Sequence, residues 1–107
     1  MPAVARGSTV DTVKTNHACC DATTTTEGAS PSVFVEGTGV HREGHNNTLH
    51  TWPSCGCCDE ETCPPHQTAI SSASPTVYAN GFGVARYGDP YDDGEEVSSG
   101  AETVFAD

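Results

Sequence analysis

The sequence predicts a small all-β domain built from three copies of one β-hairpin, and three observations lead to that prediction. Residues 28–45 and 72–89 align without a gap at an offset of 44, with nine of 18 positions identical. The second half of the same repeat opens the chain at Ala3–Gly7, while its first half closes the chain at Thr103–Ala106. No window keeps apolar residues at helical spacing for more than a turn. We therefore expect the two ends to lie side by side and complete a third copy, which gives approximate threefold symmetry.

The two internal hairpins are predicted from strand and turn residues. Each first strand is β-branched or aromatic, follows a proline and runs into a glycine turn. We predict the hairpin turns at Glu36–Gly39 and Asn80–Gly83, since Asn-Gly accepts the positive φ angles that two-residue turns require. The predicted strand segments are Ser32–Val35, Gly39–Arg42, Thr76–Ala79 and Gly83–Arg86.

Length and composition point to one domain over residues 1–107 that needs an additional stabilising element. A chain this short cannot build two cores. Leu, Ile, Val and Phe supply only 15 residues and the formal charge is -11, a combination that is typical of disorder. Because a repeat kept in register argues against disorder, we expect a metal, a disulfide or a partner to support the fold.

Three arms of unequal length connect the hairpins, and the potential metal ligands are concentrated on two of them. The first arm, residues 7–29, includes His17, Cys19, Cys20 and the extended segment Thr23–Thr26. The second arm, residues 43–73, contains His45, His50, Cys55, Cys57, Cys58, Cys63 and His66. The third arm, residues 87–100, is acidic instead. We interpret its run 89–96 as a solvated turn, because it lacks the ligand spacing of an EF-hand loop.

The strongest local metal signal is Cys63-Pro64-Pro65-His66. A Cys and a His separated by two residues can bind one zinc ion from a single turn, and the prolines stiffen that turn. We choose His17 and His50 to complete the tetrahedron. Four protein ligands leave no position for water or substrate, so the predicted zinc site is structural. The spacing does not separate zinc from iron.

The roles of the other cysteines are left open. The segment Cys55-Gly56-Cys57-Cys58 is compatible with a second metal, with a ligand that replaces Cys63, or with a disulfide to Cys19 or Cys20. Six cysteines allow 15 complete pairings. A thiol redox protein acting through Cys57 or Cys58 and a small zinc-binding adaptor are the two alternative functions.

Several classes of function are disfavoured. The N-terminus has no apolar stretch typical of a signal peptide, so we expect synthesis in a reducing cytoplasm. Only four Lys and Arg residues stand against 15 Asp and Glu residues, which removes the electrostatic basis for binding nucleic acid. No catalytic constellation stands out from the background, and we expect a protein that is not an enzyme.

The chain resembles the PAAR-repeat proteins, the tips of contractile phage tail spikes and type VI secretion spikes. The resemblance rests on MPAVAR at the start, on the two internal copies of Ser-Pro-x-Val-aromatic followed by Gly-Val-x-Arg, and on the terminal TVFA. It covers nearly the whole chain. It implies a small conical all-β tip whose broad base sits on a trimeric β-helical spike, one copy per trimer, and which is a monomer on its own. It also implies transient contact with a target cell envelope, in a virion or through a type VI apparatus.

The resemblance further implies a zinc ion near the apex of the cone, held by three His and one Cys. The matching positions here are His17, His50, Cys63 and His66. His45 stands where the repeat leads us to expect an aspartate, and residues 54–62 look like an insertion that includes Cys55. His45 or Cys55 therefore remains an alternative ligand. For the base or the small core we expect the apolar repeat positions Val33, Val35, Val77, Ala79, Val104 and Ala106.

Overall fold

The computed structural model describes residues 1–16, 23–50 and 65–107, and within these residues the protein is all-β, as predicted. These ranges contain short antiparallel strand pairs and no helix, and hence none long and apolar enough to span a bilayer. The Cα atoms extend 42 × 24 × 21 Å along the principal axes. The strands are β1 (Thr12–Lys14), β2 (Thr23–Thr25), β3 (Phe34–Val35), β4 (Thr38–Gly39), β5 (Tyr78–Ala79), β6 (Phe82–Gly83) and β7 (Glu96–Val97).

The two internal hairpins are confirmed as β3–β4 and β5–β6, in which Phe34 pairs with Gly39 and Tyr78 with Gly83. Both turns have two residues with positive φ: 52° and 82° at Glu36 and Gly37, and 54° and 84° at Asn80 and Gly81. Positive φ at both turn residues matches the right-handed twist of the strands, which explains why glycine follows Glu or Asn here.

The ends of the chain lie side by side, as predicted. Ala3 and Phe105 form an antiparallel bridge. The Val4 amide donates to the Val104 carbonyl at 2.9 Å, and the Ala106 amide donates to the Pro2 carbonyl at 3.0 Å. The internal hairpins contain the same bond as Val4–Val104, from Val40 to Val33 at 3.0 Å and from Val84 to Val77 at 2.9 Å. The chain termini therefore form the third copy of the hairpin.

The predicted returning strands are wrong in extent, since β4 and β6 end at Gly39 and Gly83. Val40 and Val84 still bond to their own hairpins, but after them the chain bonds to the neighbouring copies. The bridges are Arg6 with Val40, Arg42 with Val84, and Arg86 with Val4. Each copy thus pairs with the next, and the last pairs with the first.

Backbone hydrogen bonds close this cycle at its centre. The His41 amide donates to Ala5 at 2.9 Å, the Ala85 amide donates to His41 at 2.9 Å, and the Ala5 amide donates to Ala85 at 2.8 Å. All three residues are fully buried. A closed cycle leaves no unpaired strand edge around the centre.

The apolar core forms two clusters. One cluster is built from repeat positions, with Val4, Val40, Ala79, Val84 and Ala106 buried and Val33, Val35 and Val104 packed against them. Of the six predicted base or core positions, only Val77 is exposed. The other cluster joins the cycle to the arms and contains Ala5, Val13, Ile70, Ala85, Tyr91 and Val97.

The first and third arms meet in a three-stranded sheet of order β2-β1-β7. Val13 pairs with Thr24 on one side and with Val97 on the other. The predicted extended threonine segment is confirmed as β2. The second arm joins through bridges of Thr26 with Asn47 and of Ile70 with Tyr91. All three arms are therefore tied together beyond the central cycle.

Candidate functional site

His50 and His66 lie opposite each other across the second arm. Their backbones form an antiparallel bridge, with N–O distances of 3.0 Å and 2.8 Å. The imidazole centroids are 4.0 Å apart and the ring planes are inclined at 62°. Two predicted metal ligands are thus brought together by a backbone pair.

Glu95 completes this group from the third arm. Its carboxylate is buried, and its Oε2 lies 2.8 Å from His50 Nε2 and 3.2 Å from His66 Nε2. Asn47 Nδ2 donates to the other carboxylate oxygen at 2.7 Å. Glu95 follows a tight turn, in which its amide donates to the Asp93 carboxylate at 3.1 Å. This hydrogen bond fixes the backbone from which the Glu95 side chain extends.

The donor set fits a divalent cation. One ligand atom from each of His50, His66 and Glu95 lies within 4.8 Å of the others. His50 Nδ1 lies 2.6 Å from the Thr48 carbonyl and donates its hydrogen there, which leaves the Nε2 lone pair to face the group. Such a backbone partner orients a metal-binding imidazole. A buried carboxylate is costly without a cation beside it, so this group could hold a metal ion.

The predicted ligand set is seen in part. His50 and His66 belong to the group, whereas His17 and Cys63 lie outside the described residues, as does the alternative ligand Cys55. The other alternative, His45, is not part of the group; its Nδ1 accepts the Arg42 amide at 3.2 Å.

The prediction of a solvated turn over residues 89–96 leaves Glu95 out of the ligand set. Glu95 is buried, so for this residue the prediction is wrong. The alternation of side chains along a strand could have identified Glu95, because residues two positions apart lie on the same face. Val97 in β7 is buried and so is Glu95, whereas Asp92 and Asp93 are exposed. An acidic residue two positions before a buried valine was therefore a candidate for an inward-facing carboxylate.

A second set of charged residues repeats around the cycle. Arg6 donates from its amide, its Nε and its Nη2 to the Asp11 carboxylate, at 2.6, 3.0 and 2.9 Å. Arg86 makes the same three bonds to Asp89, at 2.7, 3.0 and 2.9 Å. Burial alone would raise the pKa of Asp11, but hydrogen bonds from Arg6 and Ser99 hold it below its usual value. These charge-assisted pairs anchor the chain where it leaves the cycle.

The third arginine departs from this pattern. His45 occupies the position of the aspartate and accepts only the Arg42 amide. Burial and the Arg42 charge lower the pKa of His45, which favours a neutral ring. Within residues 1–16, 23–50 and 65–107, Arg42 Nε is the one buried side-chain nitrogen or oxygen without a hydrogen-bond partner.

Three large aromatic side chains are exposed at corresponding repeat positions. Phe34 is 60% exposed, Tyr78 59% and Phe105 48%. Each follows the valine whose carbonyl closes its hairpin. Scattered apolar residues are normal on a surface, but one aromatic ring per copy at the same repeat position forms a set. We call Phe34, Tyr78 and Phe105 the aromatic triad.

His41 is the polar residue of the central cycle, at the position of Ala5 and Ala85. Its Nδ1 donates to the Gly28 carbonyl at 2.7 Å, and its Nε2 accepts the Tyr91 hydroxyl at 2.7 Å. Burial lowers the pKa of His41 to about 4, and burial raises the pKa of Tyr91 above its ordinary value. A neutral imidazole therefore links the internal copy at residues 28–45 to the third arm.

Comparison with known proteins gives no family assignment. No protein-family model matches the chain, and no curated protein matches it.

Proposed function

We propose that this protein is the non-enzymatic tip of a trimeric β-helical spike in a contractile injection machine, either a phage tail or a type VI secretion apparatus. It would form a small cone with approximate threefold symmetry that sharpens the spike for passage through a cell envelope. The observation that carries the proposal is the closed cycle of hydrogen bonds from Ala5 to Ala85, from Ala85 to His41 and from His41 to Ala5. One chain with three like faces suits a partner with three like subunits.

The aromatic triad supports this partner symmetry. A trimer presents each surface patch three times. A single chain can match it only by offering the same kind of side chain three times, and Phe34, Tyr78 and Phe105 do so. Exposed aromatic side chains are also the residues that contribute most to protein interfaces. We therefore place the base of the tip at the triad, with one tip per trimer.

The blunt end of a trimeric β-helix also needs a cover. Its strands end in unpaired backbone groups that invite uncontrolled pairing. The three hairpins of this chain supply short strands in corresponding positions, and strand addition at their edges is a common way to recognise such groups. Backbone pairing would supply affinity, and the triad would supply orientation.

A structural metal near the apex of the proposed cone fits the mechanical task. A point has little interior, so apolar burial cannot stiffen it, and small folds use a metal instead. Zinc coordination supplies on the order of 10 kcal/mol of binding energy that is coupled to folding. We propose zinc as the ion, held by His50 and His66 with His17 and Cys63, and with Glu95 as an additional ligand or as the partner that orients the two imidazoles.

The test is co-expression with the trimeric spike protein, followed by light scattering of the purified complex. We expect one tip per three spike chains. The variants F34A, Y78A and F105A should each weaken the complex by about tenfold, as removal of one interface aromatic does. Leu49→Ala is the matched control, since Leu49 is 59% exposed but lies outside the triad. No association at micromolar concentration, or three tips per trimer, would refute the proposal.

A further inference from the structure

Arg42 lacks the internal carboxylate that each of the other two arginines has. Arg6 and Arg86 are each neutralised by an aspartate, Asp11 or Asp89, through bonds to the amide, Nε and Nη2. His45 occupies the position that corresponds to Asp89 in the repeat, and its Nδ1 accepts a hydrogen bond from the Arg42 amide only. The Arg42 guanidinium forms no ion pair with any described residue.

Arg42 also lacks a second acidic neighbour that the other two arginines have. In the cycle each arginine bridges to the next copy, so Arg6 lies near the hairpin turn that contains Glu36 and bonds it through Nη1 at 2.9 Å. The corresponding turn residue for Arg86 is Asp107. The hydrogen bond that Arg86 donates to Asp89 is the main cause of the raised pKa of Arg86, and the charge of Asp107 adds to it. The corresponding turn residue for Arg42 is Asn80. Both carboxylate positions around this one guanidinium are therefore occupied by neutral groups.

The Arg42 side chain is held in place despite the missing acids. Its guanidinium carbon lies 4.5 Å from the centroid of the Phe82 ring, a distance typical of a cation–π contact. The side chain is partly exposed, although its Nε is buried and has no partner. An oriented guanidinium with unused donors is a receptor for a carboxylate, which it binds in a two-pronged fashion.

We propose that Arg42 receives a carboxylate side chain of the trimeric spike when the tip is seated. This inference rests on the proposed function. The spike is the favoured source because Phe82, 46% exposed, lies in the β5–β6 hairpin that also contains Tyr78 of the aromatic triad. A partner that covers Tyr78 and extends over the rest of this short hairpin reaches Phe82, the ring that Arg42 contacts. A second copy of this chain is disfavoured, because each copy has a formal charge of -11 and the two would repel.

The binding test compares three variants with the wild-type tip on the co-expressed spike. R42Q should lower spike affinity by at least about tenfold, as expected when the charge-assisted hydrogen bonds to one carboxylate are lost. K14Q is the control, because it removes the same charge from an exposed lysine in β1. H45D places an internal carboxylate where Arg6 and Arg86 already have one. It should raise the melting temperature of the tip and lower its spike affinity.

The opposite signs in H45D separate recognition from a merely structural role. If Arg42 only supported the fold, stability and binding would rise together in H45D. Unchanged spike affinity in both R42Q and H45D would overturn the proposal. A concentration-dependent dimer of the tip that disappears in R42Q would assign the carboxylate to a second copy, which also overturns it.

A separate experiment on the isolated tip distinguishes failure of this inference from failure of the proposed function. Sodium acetate is titrated while the Nε–H resonances of the three arginines are followed by NMR, with sodium chloride at equal ionic strength as the control. The Arg42 resonance should move with acetate, whereas Arg6 and Arg86 should not, since their Nε atoms already donate to aspartates. An Arg42 resonance that does not respond to acetate would overturn the carboxylate site, whatever the spike does.

Discussion

Acidification should destabilise this protein through one buried side chain, His41. The ring is fully buried in the central cycle, and both of its nitrogens are engaged, with Gly28 and with Tyr91. Adding a proton there places a charge among apolar atoms and removes the acceptor that the Tyr91 hydroxyl uses. We therefore compare the stability of the protein at pH 7 and at pH 4, and we use His41→Gln as a variant whose side chain does not titrate.

The magnitude follows from the pKa of His41, which burial lowers from 6.5 to about 4. Between these two values the unfolded chain binds a proton that the folded chain does not, so the free energy of unfolding falls as the pH falls. The contribution is complete above pH 6.5 and is lost by about pH 4. Each pKa unit corresponds to about 1.4 kcal/mol, so the loss is about 3 kcal/mol.

The assay is urea unfolding at several pH values between 4 and 7, on wild-type protein and on H41Q, at the same zinc concentration for both, so that metal release at low pH contributes equally to the two profiles. Wild-type stability should fall by about 3 kcal/mol more than H41Q stability over this range. Asp11 does not interfere, because its pKa lies below its usual 3.8 and its contribution is lost only in stronger acid. Parallel pH profiles for wild-type and H41Q would refute the role of His41.

Two further predictions concern the metal and the chain ends. Glu95→Gln should weaken zinc binding by about tenfold to a hundredfold in competition with a chromophoric chelator, whereas the neighbouring Glu96→Gln should not; equal affinities would show that Glu95 takes no part in the site. Joining Asp107 directly to residue 1 gives the terminal hairpin the same turn length as the internal ones. With Met1→Gly at that junction the closed chain should exceed the Met1 form in stability by about 1 kcal/mol, since both internal turns have a glycine with positive φ there; a higher melting temperature for the Met1 form would contradict the correspondence of the three hairpins.

The sequence predicts the hairpins well because their determinants are local. A proline, a β-branched pair and a Glu-Gly or Asn-Gly turn act within a few residues of one another, and the split repeat carries the pairing of the ends. The extents of the returning strands are not predictable in the same way. The backbone leaves its own hairpin after Val40 and Val84 because the neighbouring copy offers a partner, and that competition depends on closure of the whole cycle.

The candidate site shows the same division between local and long-range information. The spacing to Cys63 predicts His66, and the resemblance to the PAAR-repeat proteins supports the choice of His50. Glu95 comes from the third arm, which is brought to the second arm by the Ile70–Tyr91 bridge and is held to the first arm by the sheet of β1, β2 and β7. A charged residue in an acidic run is ordinarily solvated, so its burial beside two imidazoles is a property of the tertiary structure and not of the run.

In the proposed tip, matching a threefold partner and holding one ion would place opposite demands on a single chain. The valines of the cycle keep the repeat, since Val4, Val40 and Val84 pack in one cluster. One position further along, His41 replaces alanine and accepts the hydroxyl of Tyr91, whose amide bonds the Glu95 carbonyl at 2.7 Å. The one irregular residue at the centre is thus connected to the arm that delivers the carboxylate. Under the proposed function, the repeat is kept where three equal contacts to the spike are needed and is given up where unequal arms supply unequal metal ligands.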